Sequence, residues 1–81
     1  MEILASARRH GITDDDIRHA VDHAIGAVTD DNEPGFVMLI GPDQAANLVE
    51  VGLVEADEIE FVVHAMAARA KYLDALGRGE L

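Results

Sequence analysis

Apolar positions change their spacing along this chain, and each change marks an element. Ile3, Leu4 and Ala7 form a narrow stripe that predicts a helix over residues 2–10. Gly11 is placed to end it as a left-handed cap, with Ile12 as the apolar residue behind. Thr13 then serves as the N-cap of a second helix, whose first turn holds Asp14, Asp15 and Asp16 against the positive end of the helix dipole. Ile17, Ala20, Val21 and Ala24 follow at i, i+3, i+4 and i+7, one face of a helix. From Ile25 the period shortens. Residues 25–28 suit a short strand, and 30–35 (Asp-Asp-Asn-Glu-Pro-Gly) a loop. The apolar run 36–40 suits a strand covered on both faces. Gly41-Pro42-Asp43 should break it, 48–54 and 59–65 should be strands, and the Ala-rich stretch 66–76 a helix ended by Gly77. The expected fold is α+β: a small antiparallel sheet of three to four strands, two N-terminal helices and one C-terminal helix, in the order α-α-β-β-β-β-α. One domain should cover residues 1–76, with 77–81 a flexible C-terminal tail.

The last two strands also predict a register. Val49, Val51 and Leu53 form one face, and Ile59, Phe61, Val63 and Ala65 another. A three-residue loop, 56–58, puts both faces on one side, and burial should select it because a one-residue slip exposes a whole apolar face. Glu50 then lies directly opposite His64 on the other face, where carboxylate and imidazole can meet.

Charge complicates the picture. Six basic and sixteen acidic residues give a net charge of −10 over 81 residues, with 49% apolar residues and no cysteine. Such apolar content excludes a disordered acidic tail. The negative average excludes a generic DNA-binding domain. Without cysteine there is no disulfide framework or thiolate metal site. No apolar run approaches a membrane span, and Met1-Glu2-Ile3 does not open a signal peptide, so a cytoplasmic protein without membrane association is expected. So small a body with this much apolar surface suggests a homo-oligomer or a hetero-complex. The bases are unevenly placed: Arg8, Arg9 and Arg18 near the start, Arg69, Lys71 and Arg78 near the end, and none from His19 to Ala68. If the ends meet, a local basic patch can sit on an acidic molecule.

Arg9-His10-Gly11-Ile12, followed by an acidic helix start and Ile17, resembles the opening of the BrnT family of toxins. Val63-His64-Ala65-Met66 with Arg69-Ala70-Lys71-Tyr72-Leu73 is similar to a group of small actinobacterial relatives, described as toxin-like or uncharacterised. The likeness covers about residues 7–73. It implies a RelE-like fold, cleavage of mRNA, and neutralisation by a cognate antitoxin protein. Three departures stand out. The family usually opens with a strand, whereas here Met1 alone precedes the predicted first helix. The family has an Arg just after the last strand, where this chain has Met66. RelE-type ribonucleases are also richer in Lys and Arg.

The chemistry this resemblance implies activates a 2′-hydroxyl, stabilises a charged phosphorane-like state and protonates the leaving oxygen, so it needs a base, an acid and cations and no metal. His64 and Glu50 are the candidate acid–base pair, and Arg69 is the third catalytic candidate, a cation to bind phosphate. Arg9, His10 and Lys71 could contact phosphate in a bound RNA, and Tyr72 could stack on a base. Each also has an ordinary role: a strand histidine as a structural hydrogen-bonder, terminal cations as solvated groups, Tyr72 as packing against the sheet. His19 and His23, four apart, share a helix face and can hold a divalent metal given a third ligand; a solvated pair is the simpler reading, and no cofactor is expected. Two functions follow: a toxin-like component of a type II toxin–antitoxin system, an mRNA endoribonuclease of weak or lost activity, or a non-catalytic interaction module that binds a basic partner or itself.

Overall fold

The computed structural model describes residues 1–81 and builds them around a five-stranded mixed sheet. The strands are β1 (Glu2–Ile3), β2 (Gly26–Thr29), β3 (Phe36–Pro42), β4 (Leu48–Ala56) and β5 (Ile59–Ala67), in the order β1-β5-β4-β3-β2. A 3₁₀ turn covers Ala5–Arg8, and the two α-helices are α1 (Asp14–Asp22) and α2 (Ala70–Gly77). The expected three helices and antiparallel sheet of three to four strands are therefore corrected to two helices and five strands, one of them parallel.

The correction concentrates at the N-terminus. The stripe of Ile3, Leu4 and Ala7 is too short to hold a helix in water. Glu2 and Ile3 instead run parallel to Phe61 and Val62, and the Leu4 N–H donates to the Val62 carbonyl at 3.0 Å. The edge of β5 thus offers backbone partners that a nine-residue helix would forgo. Ala7 is then buried against the sheet by the 3₁₀ turn, and Ser6 Oγ donates to the Val63 carbonyl at 2.8 Å. The opening strand expected to be missing is present, although only two residues long.

Elsewhere local chemistry acts as the sequence suggests. Gly11 has φ +78°, and Thr13 Oγ1 accepts the Asp16 N–H at 3.2 Å as the N-cap of α1. Ile17 and Ala20 of α1, with Ala7, pack on Val49, Val51, Leu53, Val62 and Ala65 to make the main core. Gly41 and Pro42 do not break β3; they pair with Val49 and Leu48. Gly41 is there because α1 crosses close: a Cβ at this position would overlap the Ala20 carbonyl oxygen.

The final hairpin departs from the expected register. Its loop has two residues, Asp57 and Glu58, both left-handed at φ 52° and 66°, as the turn that matches strand twist requires. Leu53 pairs with Val62 but Gly52 with His64, so Val63 is an extra residue on β5, a β-bulge. The bulge lets Val62 and Ala65, three apart, both face the core, and leaves Ile59 44% exposed.

The opposite face of the sheet carries Met38, Ile40, Glu50, Gly52 and His64 by register. Met38, Ile40 and Glu50 are buried there. Because β5 continues to Ala67, α2 starts four residues later than expected. It crosses this second face toward β2, where Leu76 and Leu81 lie against Gly26. No helix is long and apolar enough to cross a membrane.

Candidate functional site

The centre of the second face is a buried carboxylate. Glu50 lies in the middle of β4 between Ile40 and Met66, and its side chain is 0% exposed. A bare carboxylate there would cost several kcal/mol of lost hydration (order of magnitude). Glu50 instead collects donors on both oxygens. Oε1 accepts the backbone N–H of Arg69 at 2.9 Å and its Nε–H at 3.0 Å. Oε2 accepts Arg69 Nη2 at 2.8 Å and, from His64, Nε2 at 2.8 Å. Burial is the largest single influence on this carboxyl and pushes its pKa up; the Arg69 and His64 hydrogen bonds and the Arg69 charge together outweigh it, so the value lies below the usual one for glutamate. The same bonds hold the Arg69 guanidinium above its ordinary pKa.

The contact between Glu50 and His64 was expected, but the register that delivers it differs. Glu50 pairs with Met66, and His64 with Gly52, so the two side chains meet diagonally across the strands on a shared face. Gly52 between them matters: a Cβ there would press on the Phe36 ring and on His64. A carboxylate only accepts, so His64 Nε2 carries the proton in the bond to Glu50. Its Nδ1 has no protein partner, and the side chain is 28% exposed. The histidine is therefore oriented from behind and open in front.

Four further candidates border it unequally. The His10 ring meets His64 edge-on, with centroids 5.9 Å apart. The 3₁₀ turn and Gly11 bring His10 there, so the N-terminal segment meets β5 beside His64. Arg69, 45% exposed, lies 5.6 Å from the centre of the Tyr72 ring, and Lys71 Nζ 4.9 Å from it. Tyr72 is thus half-buried and engaged with two cations. Arg9 is exposed with no side-chain hydrogen bond or ion pair. Its neighbour Arg8 turns away to Asp14, at 2.9 Å through both Nε and Nη2; that ion pair raises the arginine pKa and lowers the aspartate's.

Two features escaped the sequence. Arg69 forks onto Glu50, where only phosphate binding was expected of neighbouring cations. The Arg69 backbone N–H, at the N-cap of α2, also bonds the carboxylate, and no side chain caps that helix. Glu50 therefore anchors α2 as well as His64. The available signal was the lone glutamate in the apolar run from Leu48 to Val54: a buried acid demands a cation. Met66 lies within β5, and Arg69 is the first cation beyond it.

No protein-family model matches the chain, and neither does any curated protein or solved structure.

Proposed function

We propose that the chain is a toxin-like protein whose second sheet face binds RNA and cleaves it weakly, with His64 at the reacting bond. The observation that carries this reading is the dyad: His64 is held through Nε2 by buried Glu50, with Nδ1 open to solvent. In this scheme Nδ1 takes the 2′-hydroxyl proton as the oxygen attacks phosphorus. The bond to the 5′ oxygen breaks, and His10 in its protonated form donates to that leaving oxygen. The products are a 2′,3′-cyclic phosphate and a 5′-hydroxyl. Arg69 keeps Nη1 free of Glu50 and faces the developing phosphorane charge, and Lys71 adds to the phosphate field. The resemblance at residues 9–12 and 63–73 supports the assignment, as does an arginine soon after the last strand. Induction in a bacterial host tests it: growth should slow with the parent chain and recover with His64→Ala and with Arg69→Ala. Equal growth in all three, with folded protein present, contradicts it.

A second reading has its own support. Glu50 neutralises Arg69, so Lys71 and Arg9 are the unpaired cations left near His64, on a molecule of net charge −10. That balance suits an interaction module whose partner is a basic protein, such as a cognate antitoxin. Pull-down of a basic partner together with inert RNA would favour this reading.

A further inference from the structure

We propose that His19 and His23 form a two-histidine site for a divalent transition-metal ion of the zinc, nickel or copper class, separate from the face that carries His64. The residues are four apart, at the last turn and the C-cap of α1, so both rings leave the helix on one side. They stack with centroids 4.2 Å apart and planes 21° from parallel. Both tautomers are fixed in the same sense. His19 Nδ1 donates to the Pro42 carbonyl at 2.8 Å, and His23 Nδ1 donates to the His19 carbonyl at 2.9 Å. Carbonyl oxygens only accept, so Nδ1 bears the proton on each ring and Nε2 presents a lone pair. Neither Nε2 has a protein partner.

This is the outer shell that metal-binding histidines use: the second ring nitrogen donates to a backbone carbonyl, which sets the tautomer, aims the ring and raises its basicity. One of the two anchors, the Pro42 carbonyl, comes from β3, against which α1 packs. Coordination places the ion about 2.0–2.1 Å from each nitrogen, in the plane of each ring. Two rings only 21° from parallel cannot both hold one ion in their planes, so the His23 ring must swing out of the stack to share it, exchanging its bond to the His19 carbonyl for the ion. His23 can turn, because it is exposed and lies beyond the last helical residue.

The surrounding charge favours a cation. Asp22 is adjacent, and Asp43, at the end of β3, lies near enough for its carboxylate to interact with His19. Asp43 supplies field and not a ligand, because its oxygens already accept from Ala45, Asn47 and the Asn47 side chain. Arg18 is the one cation next to the pair in sequence, and no other follows until Arg69. Two imidazoles with water in the remaining positions select zinc, nickel or copper over magnesium and calcium, which prefer oxygen donors. The site is open, so the ion exchanges and can accept a further ligand from outside.

Calorimetric titration of the metal-free full chain with Ni²⁺, Zn²⁺ and Mg²⁺, alongside nitrogen NMR of the histidine rings, tests the proposal. One Ni²⁺ or Zn²⁺ should bind per chain, Mg²⁺ should not, and the His19 and His23 Nε2 signals should move. Loss of either ligand should weaken binding by at least about tenfold, no less than the loss of an outer-shell partner typically costs. His23→Ala, at an exposed position, carries this comparison if His19→Ala unfolds. Binding unchanged in His23→Ala, shifts confined to His10 and His64, or no binding at millimolar Ni²⁺ would each overturn it.

Discussion

Replacing Glu50 by Gln keeps the shape of the buried side chain and removes its charge. The amide offers one acceptor oxygen where the carboxylate has two, and it turns an NH₂ group toward donors on Arg69 or His64. Removing one partner of a buried ion pair typically costs 3–5 kcal/mol. Here the groups left behind reach water, since Arg69 is 45% and His64 28% exposed. The expected loss is therefore about 2–3 kcal/mol, or roughly 10–20 °C in Tm for a domain of this size. The loss should also be local. No residue of α2 is fully buried and its N-terminus lacks a side-chain cap, so amide exchange should accelerate over residues 70–77 first. Acid supplies a signature. The Glu50 pKa is lower folded than unfolded, so its stabilising contribution is complete above the ordinary value of 4.5 and disappears as pH falls through the folded value. Urea unfolding at pH 7 and at successively lower pH should show the gap between parent and Glu50→Gln closing below about pH 4.5. A loss under about 0.5 kcal/mol at pH 7, the size of an ordinary surface change, or a gap independent of pH, would refute the reasoning.

Gly41→Ala should destabilise the fold by about 3 kcal/mol, because the new methyl meets the Ala20 backbone and α1 must lift from β3; chemical denaturation measures it. Ala46, a non-glycine residue at φ 68°, should give the opposite result: Ala46→Gly relieves about 1–2 kcal/mol of left-handed strain, less the extra freedom of the unfolded chain, for a net gain of about 0.5–1 kcal/mol. Thr13→Ala removes the α1 cap and should cost about 1 kcal/mol by the same assay.

The legible parts of the sequence were those governed by local chemistry. Thr13 and the three aspartates start α1 because caps and dipoles act within one turn. The apolar run at 36–40 announced β3 because the strand is covered on both faces. The N-terminal segment was not legible, because its fate depends on a partner 59 residues away: Ile3 pairs with Val62 only after β5 exists. The bulge at Val63 was equally hidden, since an irregularity in register leaves no trace in a period-two pattern. The pairing of Glu50 with His64 still came through, because a strand pair places diagonal neighbours on one face within reach of long side chains. The Arg69 fork did not, since it depends on where β5 ends.

Purified protein on a short single-stranded RNA with a 5′ label provides the most direct test of the proposed activity. The parent chain should yield fragments ending in 2′,3′-cyclic phosphate without added metal, and His64→Ala should cleave at least about 100-fold more slowly, the lower range for loss of a general acid–base group. His64→Ala cleaving as fast as the parent, or no cleavage by either folded protein, would contradict a catalytic role for the dyad.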